Sequence, residues 1–289
     1  MFETNEVIDV VGISGGKDST ATALFAIENL ETPPRFLFCD TGIEAPITYE
    51  YIDYLDEKLK ELTGGGIERV KADFSEKMAK KREKLIANGE QSRADGLIVS
   101  GNPFLDMCVL KGRFPSTKVR FCTKDLKLEP LKKFYKSLLL EGKTVISWSG
   151  ERAEESLARS KKPIKEVLFK TDDGIVYTYR PLLRWKEQDC FDMLKRYGIK
   201  PNPLYAQGFN RVGCFPCVMC RKGEIKMINE LYPEVFERLA QWEKAVAKTS
   251  KSGMGTFFHI EKGKETLEKV IEWSKTSRGG KQYQIEFED

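Results

Sequence analysis

Val7-Ile8-Asp9-Val10-Val11-Gly12-Ile13-Ser14-Gly15-Gly16-Lys17-Asp18-Ser19-Thr20 is the stretch that decides the reading of this chain. Residues 7–13 form an apolar run of strand length, and a glycine-rich turn follows at once. From Lys17 onward, Ala21, Leu24, Phe25, Ile27 and Leu30 recur at three- and four-residue intervals, the spacing of a helix face. Strand, turn and helix open an α/β unit. The turn has chemistry of its own. Gly15 and Gly16 let the backbone approach a ligand and aim successive N–H groups inward. The following helix adds its positive N-terminal end. Ser14 and Ser19 offer hydroxyls and Lys17 a mobile positive charge, so the loop suits a phosphate or pyrophosphate. Its spacing to the lysine is too short for a Walker A loop.

Outward from this unit, the alternation continues. Arg35–Cys39 reads as a strand, 48–62 as a helix stopped by Gly64-Gly65-Gly66, and Ile67–Lys71 as a third strand. Residues 75–88 read as a charged helix and 89–122 as a long substrate loop. A helix over 125–140, a buried strand at Thr144–Trp148 and a hairpin through Asp172-Asp173-Gly174 come next. An amphipathic helix spans 186–197, and helices are expected at 224–231 and 233–248 beyond a cysteine cluster. The pattern predicts an α/β fold, a mostly parallel sheet flanked by helices, over residues 1–205. A cysteine-bearing helical segment is expected over 206–289.

Charge and cysteine content narrow the function. Residues 1–70 hold five Lys/Arg against fourteen Asp/Glu, so the net +4 of the 289-residue chain leaves +13 for the remainder. Such asymmetry points the later part toward an anionic partner. Residues 111–133 are its densest part, with eight Lys/Arg against Asp125 and Glu129, and Phe114 and Phe121 interleaved. Backbone phosphates and stacked bases of a nucleic acid would suit that composition, although a solvated helix face explains it equally well. Lys77, Lys80, Lys81, Arg82 and Lys84 read as such a face. No apolar run is long enough to span a bilayer, and the acidic N-terminus has no basic segment of a secretory signal, so a cytoplasmic location is expected. Seven cysteines in a reducing compartment favour metal binding or chemistry over disulfides. Cys214, Cys217 and Cys220 have C-x2-C-x2-C spacing, which lets three thiolates converge. Cys39, Cys108 and Cys190 read as buried small hydrophobes. The single histidine, His259, reads as a surface or packing residue.

Several of these segments resemble a known family. Ser14-Gly15-Gly16-Lys17-Asp18-Ser19 is similar to the PP-loop of N-type ATP pyrophosphatases, which adenylate a substrate and release pyrophosphate. Phe38-Cys39-Asp40-Thr41-Gly42 resembles the Asp-Thr-Gly segment of the phosphoadenosine phosphosulfate (PAPS) reductase branch. Gly150-Glu151-Arg152 with Glu155, Ser156 and Arg159 resembles that branch's later arginine-bearing segment. Arg180-Pro181-Leu182, Trp185 and Asn202-Pro203-Leu204-Tyr205 match its pattern as well. The resemblance implies an adenine nucleotide alpha hydrolase-like fold, with ATP on Ser14, Gly15, Gly16, Lys17, Asp18 and Ser19. It implies Mg2+ beside Asp18, a nucleoside near Asp40, Thr41 and Gly42, and an anion on Gly150, Arg152 and Arg159. Lys17, Asp18 and Arg152 would carry catalysis.

The segments around Arg120-Phe121-Cys122-Thr123-Lys124 and Gly213-Cys214-Phe215-Pro216-Cys217 resemble the cluster-binding elements of adenylyl-sulfate (APS) reductases. That likeness implies a 4Fe–4S cluster on Cys122, Cys214, Cys217 and Cys220. Four thiolates would equally accept zinc, and unligated or redox-paired thiols remain a third reading. The reductases attack sulfur with a cysteine near their C-terminus, and no cysteine follows Cys220 here. The expected function is therefore ATP-dependent sulfur transfer to a nucleic acid, with a sulfur-donor protein as a partner. A sulfonucleotide reductase using an external thiol and a non-catalytic nucleotide-binding subunit are the rivals.

Overall fold

The structure is a computed structural model, which describes residues 6–258 and 266–277. In chain order, β1 (Val7–Ile13), α1 (Lys17–Asn29), β2 (Arg35–Asp40), α2 (Pro46–Thr63) and β3 (Ile67–Lys71) alternate as the sequence predicts. Next come α3 (Ser75–Ala87), α4 (Gln91–Asp95) and α5 (Pro103–Lys111), then a π-helical turn at Thr123–Leu128 that runs into α6 (Glu129–Leu140). β4 (Thr144–Trp148), α7 (Leu157–Ser160), β5 (Lys165–Thr171), β6 (Gly174–Tyr179), α8 (Glu187–Arg196) and α9 (Pro203–Ala206) follow. α10 (Lys222–Leu231), α11 (Pro233–Thr249) and α12 (Leu267–Lys275) complete the described α-helices. His259 and the segment from 278 onward lie outside the described residues.

The chain divides into two compact units. One comprises the chain up to Asp40, Glu44–Lys71 and Leu128–Gly213; the other comprises Thr41–Ile43, Ala72–Lys127 and the chain from Cys214 onward. The first unit holds a six-stranded sheet in the order β3-β2-β1-β4-β6-β5. Every neighbouring pair is parallel except β5 and β6, which form the expected antiparallel hairpin. Val10 and Val11, adjacent on β1, are both fully buried and enter different cores. One core gathers Val11, Leu24, Phe36, Ile52 and Leu194, the other Val10, Leu37, Tyr135, Leu138 and Val145. Burial on both faces explains why β1 reads as a continuous apolar run rather than an alternating one.

Sheet order fixes where a ligand would sit. From β1 the order runs one way to β2 and β3, and the other way to β4 and β6. Open parallel sheets of this kind bind ligands outside the carboxyl ends of the strands, at the point where the order reverses. Here the segments emerging from the carboxyl ends at that point are Ser14–Gly16, after β1, and Ser149–Arg152, after β4.

The second unit is helical and corrects two expectations. The anticipated loop over 89–122 contains α4 and α5. The side chain of Asn102 caps α5, its Oδ1 accepting from the Leu105 N–H at 3.0 Å. The anticipated single division after residue 205 separates elements that pack together, because α4 and α5 both lie against α11. Aromatic contacts hold this core: Phe104 with Trp242 at 5.7 Å and Phe114 with Phe257 at 5.3 Å between ring centroids. No described helix is long and apolar enough to cross a membrane.

Candidate functional site

The loop after β1 is held by its own hydrogen bonds. The Ser14 N–H donates to the Ser19 hydroxyl at 3.1 Å, and the two hydroxyls lie 3.0 Å apart. Ser19 in turn donates to the Gly16 carbonyl at 2.9 Å. Gly15 has φ +76°, and a Cβ there would come within 3.0 Å of the Thr48 methyl. A left-handed, crowded position of this kind is one that only glycine occupies comfortably. The Asn202 amide donates to the Gly15 carbonyl at 3.2 Å, and the Tyr205 hydroxyl accepts from the Lys17 N–H at 3.0 Å. Asn202 and Tyr205 thus hold the turn from the far end of the unit's chain.

Asp18 is the hub of the site. Its carboxylate accepts from Arg152 Nε at 2.5 Å, pairs with Lys17 Nζ at 3.3 Å and accepts from Cys190 Sγ at 3.5 Å. Lys17 and Arg152 are each only 4% exposed, so both cations lie where unpaired charge is costly. Each has a second partner: Glu187 lies 2.9 Å from Lys17, and Glu154 lies 2.5 Å from Arg152. Burial works to lower the Lys17 pKa, but Tyr205, Glu187 and Asp18 hold it above the ordinary lysine value. Lys17 therefore stays charged. Burial and the adjacent Asp18 carboxylate push the Cys190 thiol up to about 12, which leaves it protonated and non-nucleophilic at neutral pH.

Gly150 joins the two halves of this arrangement. A Cβ built there would lie 2.7 Å from the Asp18 carbonyl oxygen and 2.9 Å from the Ser19 nitrogen. Both are backbone atoms, so only glycine lets the segment after β4 approach the first turn of α1. Behind it, Glu151 pairs with Lys162 at 2.5 Å and faces Arg180. Burial alone would raise the Glu151 carboxyl, yet Lys162, Arg180 and Arg159 hold it below the ordinary glutamate value. Arg159 is ion-paired with Glu155.

The other sequence candidates are placed elsewhere. The Asp40 carboxylate accepts from the Tyr49 hydroxyl at 2.7 Å, with Glu44 at 3.0 Å from the same oxygen. Burial and those two carboxylates push the Tyr49 phenol far above its usual range. Thr41 and Gly42 belong to the second unit. There the Asn102 amide donates to the Gly42 carbonyl at 2.7 Å, so the cap of α5 also anchors this turn. Sequence reasoning missed Glu187 and the contact of Cys190 with Asp18. The amphipathic pattern of 186–197 places Cys190 inward, but nothing local in sequence names its partner.

Cys122, Cys214, Cys217 and Cys220 all lie in the second unit and form no disulfide. The Cys217 N–H donates to Cys220 Sγ at 3.2 Å, and the Met219 N–H to Cys217 Sγ at 3.4 Å. Four thiols with N–H donors at two sulfurs are donors suited to a soft metal. The geometry does not close. Among the described residues, no three Cys, His, Asp or Glu side chains converge closely enough to hold a metal ion.

Comparison with known proteins places these features. The family model described as "Phosphoadenosine phosphosulfate reductase domain" matches residues 9–96 and 106–220. An uncharacterised 37.8 kDa protein of Escherichia phage 186 is 40% identical, the match covering 96% of this chain and 91% of that protein. An uncharacterised protein of Methanocaldococcus jannaschii is 28% identical over 78% of this chain and 45% of its own length. Adenosine 5'-phosphosulfate reductase of Allochromatium vinosum is 33% identical over 37% of this chain and 39% of that enzyme. Among solved structures, phosphoadenylyl-sulfate reductase from Candida auris aligns over 74% of this chain and 84% of that one, at 18% identity and a TM-score of 0.42.

Proposed function

Because this chain belongs to the phosphoadenosine phosphosulfate reductase family, we propose that it is an enzyme that adenylates a nucleic acid with ATP and then replaces the activated oxygen with sulfur. The observation that carries the reading is the hub at the sheet's reversal point. A glycine loop, a helix N-terminus, Lys17 and Arg152 meet there around one carboxylate, Asp18. That combination suits a triphosphate held with a divalent cation. ATP phosphates would take the place of Glu187 and Glu154 beside the two cations, and Mg2+ would sit against Asp18.

In this mechanism an oxygen of the acceptor attacks the α-phosphorus, the α–β bridging bond breaks, and pyrophosphate leaves. Loop N–H groups and Lys17 stabilise the charge gathering on the departing pyrophosphate, while Arg152 orients the phosphates through its planar fork. A sulfide equivalent from a donor protein then displaces AMP, which departs with the acceptor oxygen. Asp40, Thr41 and Gly42 are assigned to the nucleoside end and Gly150 and Arg159 to the anion by family resemblance. The acceptor is assigned from charge: Lys111, Arg113, Lys118, Arg120 and Lys124 concentrate in the second unit, with the Lys111 and Arg113 cations 5.6 and 5.5 Å from the Phe121 ring centroid.

A 4Fe–4S cluster on Cys122, Cys214, Cys217 and Cys220, with zinc as the alternative metal, enters the proposal from family resemblance and donor chemistry alone, since the described side chains do not converge on a metal-sized site. Such a cluster supplies a sulfur-rich redox centre when bound, and no step above runs through it. Anaerobically purified protein should contain iron and acid-labile sulfide, both lowered by Cys217→Ala and unchanged by Cys190→Ala. Stoichiometric zinc without sulfide would replace the cluster by a zinc site.

The acceptor is tested by mass spectrometry of nucleosides and dinucleotides from cells with and without the gene. Sulfur-bearing nucleotides that vanish with the gene are expected. If none appears, and the protein releases sulfite from APS or PAPS with a thiol donor, it is a sulfonucleotide reductase instead.

A further inference from the structure

A cavity of about 810 Å³ in the second unit is lined by Lys81, Lys84, Arg93, Lys111, Arg113 and Lys251. These six cations come from α3, α4, the end of α5 with the turn after it, and the turn after α11. Glu90 is the one carboxylate among the lining residues, and it pairs with Arg93. Lys111 is offset from outside the lining by Asp125 at 2.9 Å. Lys84, Arg113 and Lys251 have no ion pair among the described residues. Positive charge therefore exceeds its counter-charge around a concave space.

The frame under these cations is built rather than loose. Thr249, fully buried, donates to the Val109 carbonyl at 2.8 Å, and its own carbonyl accepts from Arg93 Nε at 3.1 Å. Lys81 Nζ donates to the Leu110 carbonyl at 2.5 Å. At Gly112, with φ +66°, a Cβ would come within 2.8 Å of the Thr249 carbonyl oxygen, so the turn after α5 presses backbone against backbone. Burial, and then the like charges of Arg93, Lys111 and Lys251, pull the Lys81 pKa below its ordinary value. The group is held among cations that an anion would relieve.

We infer that this cavity takes the phosphodiester backbone of a single-stranded segment of the nucleic-acid acceptor, with Lys84, Arg113 and Lys251 as phosphate contacts. The inference rests on the nucleic-acid reading of the function and names where the strand is held. A cavity of this volume is within the usual range for a ligand of a few linked groups and admits a strand rather than the width of a duplex. A strand is favoured over a compact anion because the charge continues beyond the cavity. Lys118, Arg120 and Lys124, all exposed, extend the run begun by Lys111 and Arg113. Positive grooves that track a backbone past aromatic side chains are the common solution for single strands.

The test uses fluorescence anisotropy with a labelled single-stranded 12-mer, as DNA and as RNA, and inorganic triphosphate as competitor. Lys84→Gln with Lys251→Gln changes two exposed side chains, so the fold should persist. Binding of the 12-mer should weaken at least tenfold, and the log–log salt slope should fall by about 1.4 for two lost phosphate contacts. A charge-matched control, Lys226→Gln with Lys275→Gln, should bind within twofold of the parent. Parental affinity in the cavity variant, while the unmodified protein binds the strand, would overturn the cavity and leave the acceptor reading standing. Failure of the unmodified protein to bind either 12-mer would overturn both. Triphosphate binding lost in the cavity variant, with no strand binding, would make this a compact-anion site and overturn the strand.

Discussion

Gly150→Ala should abolish ATP–pyrophosphate exchange and lower the thermal midpoint by roughly 4–8 °C. The added methyl would meet the Asp18 carbonyl oxygen at 2.7 Å and its carbon at 2.8 Å. Neither atom belongs to a flexible side chain, so the first turn of α1 or the segment after β4 must move. Overpacking of this kind costs about 1–3 kcal/mol. For a chain of this size, about 2 kcal/mol corresponds to the quoted shift at roughly 2–4 °C per kcal/mol. The same displacement moves Asp18 away from Arg152, which is why loss of exchange should exceed loss of stability. Gly12→Ala is the control, since its methyl would meet its nearest atom, the Trp148 carbonyl oxygen, at an ordinary 3.8 Å. Calorimetric scanning and exchange on both variants check this. A Gly150→Ala protein with parental exchange would show that the approach of these two segments does not matter to the site.

The second large effect concerns the hub itself. Asp18→Ala should destabilise the protein by about 3 kcal/mol, the lower end of the cost of breaking a buried ion pair. It leaves Arg152 beside Glu154 and Lys17 beside Glu187, so neither cation is left wholly unpaired. Asp18→Ala together with Arg152→Leu should be less unstable than the sum of the single changes, by at least about 1 kcal/mol. Urea unfolding of the four proteins measures that coupling. Strict additivity would mean that the 2.5 Å contact between Asp18 and Arg152 contributes nothing. On the functional side, Asp18→Ala should remove the magnesium dependence of ATP binding, whereas Asp18→Asn should keep the fold and still lose that dependence.

Much of the first unit is legible in sequence because its signals are local. The run of β1, the glycine turn and the three- and four-residue spacing of α1 are contiguous, so the first α/β unit reads directly. The hairpin of β5 and β6 is likewise announced by Asp172-Asp173-Gly174. What escapes is what depends on distance along the chain. The contact of Cys190 with Asp18 spans 172 residues, and no periodicity records it. α5 escapes for another reason. Phe104, Met107, Cys108 and Val109 are all buried, so its apolar residues surround the helix and leave no amphipathic stripe. Its ends did carry a signal: Asn102-Pro103 at the start and Gly112 at the close are a cap, a first-turn proline and a C-terminal glycine. The cysteine spacing is legible as donor chemistry, yet spacing alone does not bring Cys122 into a closed set with the other three. The cavity cations escape because Lys81 and Lys84 lie on a helix whose other charged residues face solvent.

The most direct test of the adenylating chemistry is isotope exchange between labelled pyrophosphate and ATP, run with magnesium and with nucleic acid present. Exchange that needs both is expected, and so is its loss in Gly150→Ala and in Asp18→Ala. Absence of exchange under every condition, together with thiol-dependent release of sulfite from APS or PAPS, would contradict it.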